Sequence, residues 1–279
     1  MAAARYRALL VLILLSWPSA AKRYSFEHYG QEQGLANALV RALAQDKTGF
    51  LWVGTRDGLF RYDGLRFQRF AVPDGLPEAS IRTLHVTGEG TLWAGTQKGI
   101  ARLAGSRLEP VPVEGETRSR LGIASDASGR VYVASSAGLF VAEGGGSLRR
   151  VDGPAGAIRG LWVDHDNIVW MGCGEAICRW DGRKSEVFGP RQGVPRGSWT
   201  GFQRDAAGAL LARADSSLLV MRRDDNVFRK DLQFRFPGSD QLMLDRGGRL
   251  LAPSQGGIWM RGAEEHWTCR NRKGCPPIG

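Results

Sequence analysis

Few residues in this chain have the type and spacing for chemistry. Asp164-His165-Asp166-Asn167 is the cluster that suggests a metal, but it lacks the glycine and the distant glutamate of a calcium loop. It also occupies a tight turn, where Asp and Asn are favoured for their own sake, and a structural turn is expected there. His28, His85, His165 and His266 share no spacing that would make a ligand set. A Gly-x-Ser-x-Gly elbow, a Walker loop, a His-Glu-x-x-His helix and a dinucleotide fingerprint are all missing from the sequence. Trp52, Trp93 and Trp170 could form a sugar-stacking platform, yet their shared register inside a strand favours packing. Arg56, Lys98 and Glu175 fall at one equivalent turn and form the candidate ligand face. No catalytic residue, metal ligand or cofactor is expected.

Four cysteines form two near pairs, Cys173 with Cys178 and Cys269 with Cys275. Each pair could close a hairpin as a disulfide, and free thiols packed as small core residues are the alternative. Neither pair has the Cys-x-x-Cys spacing of a zinc or redox site.

The elements that must carry these residues repeat. Asp46-Lys47-Thr48-Gly49 makes a tight turn and Phe50 to Thr55 a short β-run. Arg56-Asp57-Gly58 turns again, Leu59 to Tyr62 is a second run, and Asp63-Gly64 is a strong hairpin dipeptide. The turn glycine recurs as Gly49, Gly90, Gly129, Gly208 and Gly248, with Asn167 in the fourth place, at intervals of about 40 residues. Three residues on stands a large apolar residue: Trp52, Trp93, Tyr132, Trp170, Leu211, Leu251. Seven further on stands a branched aliphatic: Leu59, Ile100, Leu139, Ile177, Leu218, Ile258. Between them the small pair Gly54-Thr55 persists as Gly95-Thr96, Ala134-Ser135 and Gly172-Cys173, then decays to Arg213-Ala214 and Pro253-Ser254. Small residues there would admit a neighbouring sheet close to the backbone.

Such a period predicts an all-β fold, a β-propeller of four-stranded antiparallel blades with about six repeats. The expected blades are 36–77, 78–115, 116–153, 154–196, 197–237 and 238–279, the fifth irregular because its aromatic and Gly-Thr are gone. Residues 24–35 resemble the last strand and exit of the template, as do Arg66 to Phe70 with Gly75-Leu76-Pro77, and are expected to form an outer closing strand. Blade six already has such a strand near His266 to Thr268, so the ring is either six-bladed with a surplus strand or an incomplete seven-bladed one. The second reading makes the chain a truncated product.

The composition agrees. The chain has 279 residues, 43% hydrophobic and 9% aromatic, with 38 glycines and 12 prolines, as many short strands and turns require. Arg5 and Arg7 precede an apolar run, Ala8 to Leu15, and small residues end at Ala21. Residues 1–21 therefore read as a signal peptide and 22–279 as an exported domain, periplasmic or secreted, with an uncleaved N-terminal anchor as the alternative. The net charge of +10 falls to +8 once Arg5 and Arg7 leave. The basic residues are scattered through every repeat rather than gathered in a stripe, so no nucleic-acid partner is expected.

With Asp46 to Leu59, Tyr62-Asp63-Gly64 and Gly75-Leu76-Pro77 in view, the chain resembles the two-component regulator propeller family. The likeness is strong in the first repeat and fades to mere spacing in the last two. It implies the extracytoplasmic sensor portion of a bacterial histidine kinase or diguanylate cyclase, a small-molecule or glycan ligand, and a membrane-bound signalling partner. It implies sensing rather than catalysis. An exported propeller enzyme, streptogramin-lyase-like or glycan-cleaving, and a protein-docking propeller are the alternatives.

Overall fold

The structure, a computed structural model, describes residues 27–36, 39–115, 122–153, 157–214, 217–231, 234, 241–245, 247–254, 257–262 and 266–270. The expected signal peptide, 1–21, and Cys275 lie outside them. Six four-stranded antiparallel sheets follow one another along the chain, each with its strands in sequence order. They span residues 40–70, 81–110, 122–150, 158–188, 201–230 and 243–270. This is a six-bladed β-propeller. The first strands of blades one to five touch in succession, so they line the axis and the fourth strands are outermost.

Blade five is as regular as its neighbours, with four strands between Gly201 and Lys230. Its lost Gly-Thr is compensated by Arg213, which is fully buried with its guanidinium 4.9 Å from the Phe234 ring centroid. An apolar sheet face can thus be completed by a stacked cation when the small residue is gone.

Five of the six blades share one turn chemistry between their first and second strands, and blade two has Thr87 in the place of the Asp. Asp46 Oδ1 accepts the backbone N–H groups of Thr48 and Phe50, both at 3.0 Å, and the same two-donor pattern holds at Asp126, Asp164, Asp205 and Asp245. The marker residue must then take a positive φ: Gly49 has 95°, Gly129 has 84°, and Asn167 has 60°. Asn tolerates this region because its short side chain finds a local partner; here Asn167 Oδ1 accepts the N–H of Ala127 in blade three at 3.1 Å. Asp164-His165-Asp166-Asn167 is therefore this turn, with Asp164 buried at its root.

The blades pack face to face. Trp52, Leu59 and Phe70 of blade one meet Ile81, Leu92, Ala94 and Leu108 of blade two in one core, and four further cores repeat the arrangement up to blades five and six. Trp52, Trp93 and Trp170 are each 1% exposed, which makes them core residues. The small position explains itself. A Cβ on Gly54 would lie 2.5 Å from Ile81 Cγ2, and one on Gly172 would lie 1.9 Å from the Trp199 carbonyl oxygen of blade five.

Residues 27–36 hold no strand; residues 24–26 of the expected closing strand lie outside the described residues. Gln31–Gln33 is a single 3-10 turn closed by Gly34 at φ 90°, and Gln33 Oε1 accepts the Gly30 N–H at 2.8 Å. The same turn leaves blade one at Val72–Asp74 and blade four at Pro190–Gln192. In each, the side chain of the third residue bonds back to the N–H before the turn. The glycine that follows lies against the outer edge of the next blade: Gly75 on Leu108, Gly193 on Phe228, Gly34 on Phe67. The likeness to the template's exit is thus real, and what it encodes in 30–35 is the turn into blade one.

Candidate functional site

Up-and-down strands put the turns between second and third strands at one end of the ring, and the first-to-second turns and third-to-fourth hairpins at the other. Arg56, Lys98 and Glu175 sit on the first set and all three are exposed. Their turns are rigid for a local reason. The Thr55 and Thr96 N–H and hydroxyl groups both donate to the carbonyls of Gly58 and Gly99, and the hydroxyls accept from Asp57 and Lys98 N–H. Glu175 sits in the hairpin closed by the Cys173–Cys178 disulfide, Cα to Cα 5.8 Å, and pairs with Arg196 at 3.5 Å. Cys269 is also disulfide-bonded. Gln97 N–H donates to Glu78 at 3.1 Å, and Arg159 donates to Ser198 at 3.0 Å. The three predicted residues therefore share one polar end of mixed charge.

The opposite end carries a feature that sequence reasoning missed. A cleft of about 360 Å³ lies between blades three and four, lined by Arg130, Tyr132, Glu143, Arg149, Trp180 and Arg183 among others. Its floor is committed internally. Asp126 Oδ2 takes the Tyr132 hydroxyl at 2.8 Å and Arg130 Nε at 2.7 Å, and Arg149 pairs loosely with Glu143 at 3.9 Å. Burial, and then the bond to Asp126, push the Tyr132 phenol well above its ordinary range, so it is a fixed donor. Burial opposes ionisation of Asp126, but bonds from Ser128, Tyr132 and Arg130 outweigh it and hold the carboxyl low. In sequence, Tyr132 reads as core and Asp181-Gly182 as a hairpin tip; only packing of blade four on blade three brings them to one cleft.

His85, on the axial strand of blade two, has its Nε2 2.8 Å from Ser125 Oγ of blade three, and burial drops its pKa to about 4. It is a neutral inter-blade contact. His28, His165 and His266 are exposed, and no group of three His, Cys, Asp or Glu side chains among the described residues could hold a metal ion. What this arrangement can do is present rigid polar turns at one end and a guanidinium-rimmed cleft at the other.

A succession of such four-stranded blades defines a β-propeller. Residues 34–57 match the family model described as two component regulator propeller. A 60-residue stretch is 37% identical to histidine kinase P4 of Formosa agariphila, covering 22% of this chain and 4% of that protein. The fold is similar to the extracellular domain of the putative hybrid two component system BT3049 from B. thetaiotaomicron, with TM-score 0.71 and 17% identity over 86% of this chain and 35% of that one. It is also similar to virginiamycin B lyase from Staphylococcus aureus, with TM-score 0.67 and 13% identity over 82% and 83% of the two chains. Residues 34–57 thus match one two-component regulator propeller repeat within a propeller fold, and the chain spans about a third of the two-component domain it is similar to. Among the described residues no helix is long and apolar enough to cross a membrane.

Proposed function

We propose that the chain is an extracytoplasmic ligand-binding propeller of the sensor kind, working without catalysis. The observation that carries this reading is the match of residues 34–57 to the regulator repeat on a propeller similar in fold to extracellular two-component domains. The ligand is a small molecule or glycan, taken up at an end of the ring where rigid turns present Arg56, Lys98 and Glu175. Output then passes to a membrane-bound signalling partner. Export depends on residues 1–21, and N-terminal sequencing of the protein recovered from the periplasm should begin at Lys22.

The lyase likeness supports a second reading, an exported enzyme. One experiment separates the two. The chain is screened by thermal shift against neutral and acidic oligosaccharides, dicarboxylates, amino acids and cyclic depsipeptide antibiotics, and every compound is recovered for mass analysis. The sensor reading expects at least one compound to raise the melting temperature and return unchanged. A compound returned linearised or cleaved supports the enzyme, and a screen with neither outcome leaves docking of a protein as the better account.

A further inference from the structure

The cleft between blades three and four holds hydrogen-bond donors that the fold itself does not use. Its lining of about 360 Å³ carries four guanidiniums, those of Arg130, Arg149, Arg150 and Arg183, against the carboxylates of Glu143 and Asp152. Two of the four are engaged to different degrees. Arg130 is committed to Asp126 at 2.7 Å, while Arg149 lies 3.9 Å from Glu143, beyond hydrogen-bonding distance. Among the described residues neither Arg150 nor Arg183 has an ion-pair partner. The acid next to Arg183 in the chain does not neutralise it, because Asp181 accepts the backbone N–H groups of Arg183 and Lys184, at 2.9 and 2.7 Å, to close the hairpin.

The wall contains a further donor without an acceptor. Trp180 is 6% exposed and stands edge-on to Tyr132, ring centroids 6.0 Å apart, and its buried indole N–H has no hydrogen-bond partner among the described residues. The indoles of Trp52, Trp170, Trp199, Trp259 and Trp267 all have theirs. Buried donors are rarely left unpaired, and one beside a cavity marks a place where an acceptor fits. Below it the Tyr132 hydroxyl and Arg130 are both held by Asp126, so the floor is fixed before anything binds.

We propose that this cleft binds the oxyanion group of a small ligand, a carboxylate or a phosphate, held by Arg150 and Arg183. Guanidinium forks match both groups through paired N–H donors. The excess of guanidinium over carboxylate in the lining sets the sign of the ligand, and the volume, near the lower end for small-molecule sites, makes it compact. Tyr132, Val141 and Trp180 are each at most 7% exposed, so recognition falls to the polar rim rather than to an apolar floor. The site is separate from the turns of Arg56, Lys98 and Glu175 and does not rest on the sensor reading.

The test is calorimetric titration of the full chain with inorganic phosphate and, separately, with succinate, at about 0.15 M salt, where exposed charges are screened. Saturable binding of one anion per chain is expected. Arg150→Gln with Arg183→Gln should weaken it at least about tenfold, whereas Arg66→Gln with Arg107→Gln, an equal loss of exposed charge on other blades, should leave it unchanged. Tighter phosphate binding makes the ligand a phosphate ester and tighter succinate binding a dicarboxylate, and either supports the site. Failure of both anions to bind overturns the proposal. So does binding that survives the Arg150 and Arg183 changes, which lies elsewhere, or equal weakening in both double variants, which is attraction to the net charge. A second readout needs no arginine variant: the indole N–H resonance of Trp180, assigned with Trp180→Phe, should move as the tighter anion is added while that of Trp170, bonded to Asp164, stays in place. A Trp180 signal that does not move contradicts the cleft as the site.

Discussion

The carboxylate of Asp46 accepts a hydrogen bond of 2.8 Å from the indole N–H of Trp52, six residues along the chain. The same relation joins Asp164 to Trp170 at 3.1 Å and, with a hydroxyl in place of the indole, Asp126 to Tyr132 at 2.8 Å. One side chain thus closes the turn with Oδ1 and orients the core aromatic with Oδ2. In blade four it does more, because Arg204 of blade five also donates to Asp164 Oδ2 at 2.9 Å. Arg261 continues the series by bridging Asp205 and Asp231, each at 3.1 Å, between blades five and six.

Asp164→Ala should therefore be among the most damaging single changes. It strands two backbone donors, a buried indole N–H and a mostly buried guanidinium, and removal of one partner of a buried pair costs about 3–5 kcal/mol. Urea unfolding measures it. Asp63→Ala, which removes an exposed hairpin carboxylate that accepts only the Leu65 and Arg66 N–H groups, should shift the urea midpoint far less.

The close approach of blades predicts a contrast between glycines. Gly172→Ala places a methyl 1.9 Å from a backbone oxygen that no rotamer change can move, and a loss of at least about 3 kcal/mol is expected. Gly182→Ala meets nothing within 4 Å and carries only the penalty of φ 96°, about 1–2 kcal/mol. Equal effects in thermal melts would show that blades four and five sit further apart than described.

Acid should weaken the fold in two stages. His85 titrates near 4 in the folded chain and at 6.5 unfolded, so the unfolded state binds more protons between those values. Stability is complete above about pH 6.5 and falls as the pH drops toward 4, on the order of 3 kcal/mol from this group. His85→Gln should flatten that stage. Asp46 and Asp126 have carboxyls held below their ordinary 3.8, by hydrogen bonds that outweigh burial, so their contribution persists at neutral pH and is lost only in stronger acid. The measurement is the melting temperature against pH for both chains.

The Cys173–Cys178 disulfide closes a very short loop, for which chain entropy gives about 2 kcal/mol. Cys173→Ser with Cys178→Ser should lower stability by about that amount or less, without altering the Glu175 turn, which Arg196 and the Gly197 N–H also hold. Denaturation with and without reductant checks it.

Much of the fold was legible because its markers are local. Gly49, Gly90, Gly129, Gly208 and Gly248 are required by one turn, and Trp52, Trp93 and Trp170 by one register within a strand. The small position at Gly54 and Gly172 could be read as a close approach, though not which blade made it. What escaped the sequence was every relation that depends on how one blade lies on the next. The stacking of Arg213 on Phe234 and the cleft walled by Tyr132 and Trp180 join residues with no fixed spacing, and the Arg204–Asp164 bridge, though its partners stand one 40-residue repeat apart, depends on which side chain reaches across the seam between blades. Residues 30–35 were legible as the exit turn, because its glycine and its back-bonding side chain are local, while residues 24–26 of the expected closing strand lie outside the described residues.

The most direct test is a calorimetric titration of the full chain with the best-stabilising compound from the ligand screen, followed by mass analysis of that compound. The sensor account predicts saturable binding with one ligand per chain, ligand recovered intact, and weaker binding in the Arg56→Ala, Lys98→Ala chain. Progressive loss of the compound, with heat that continues after saturation, would contradict it and make the chain an enzyme.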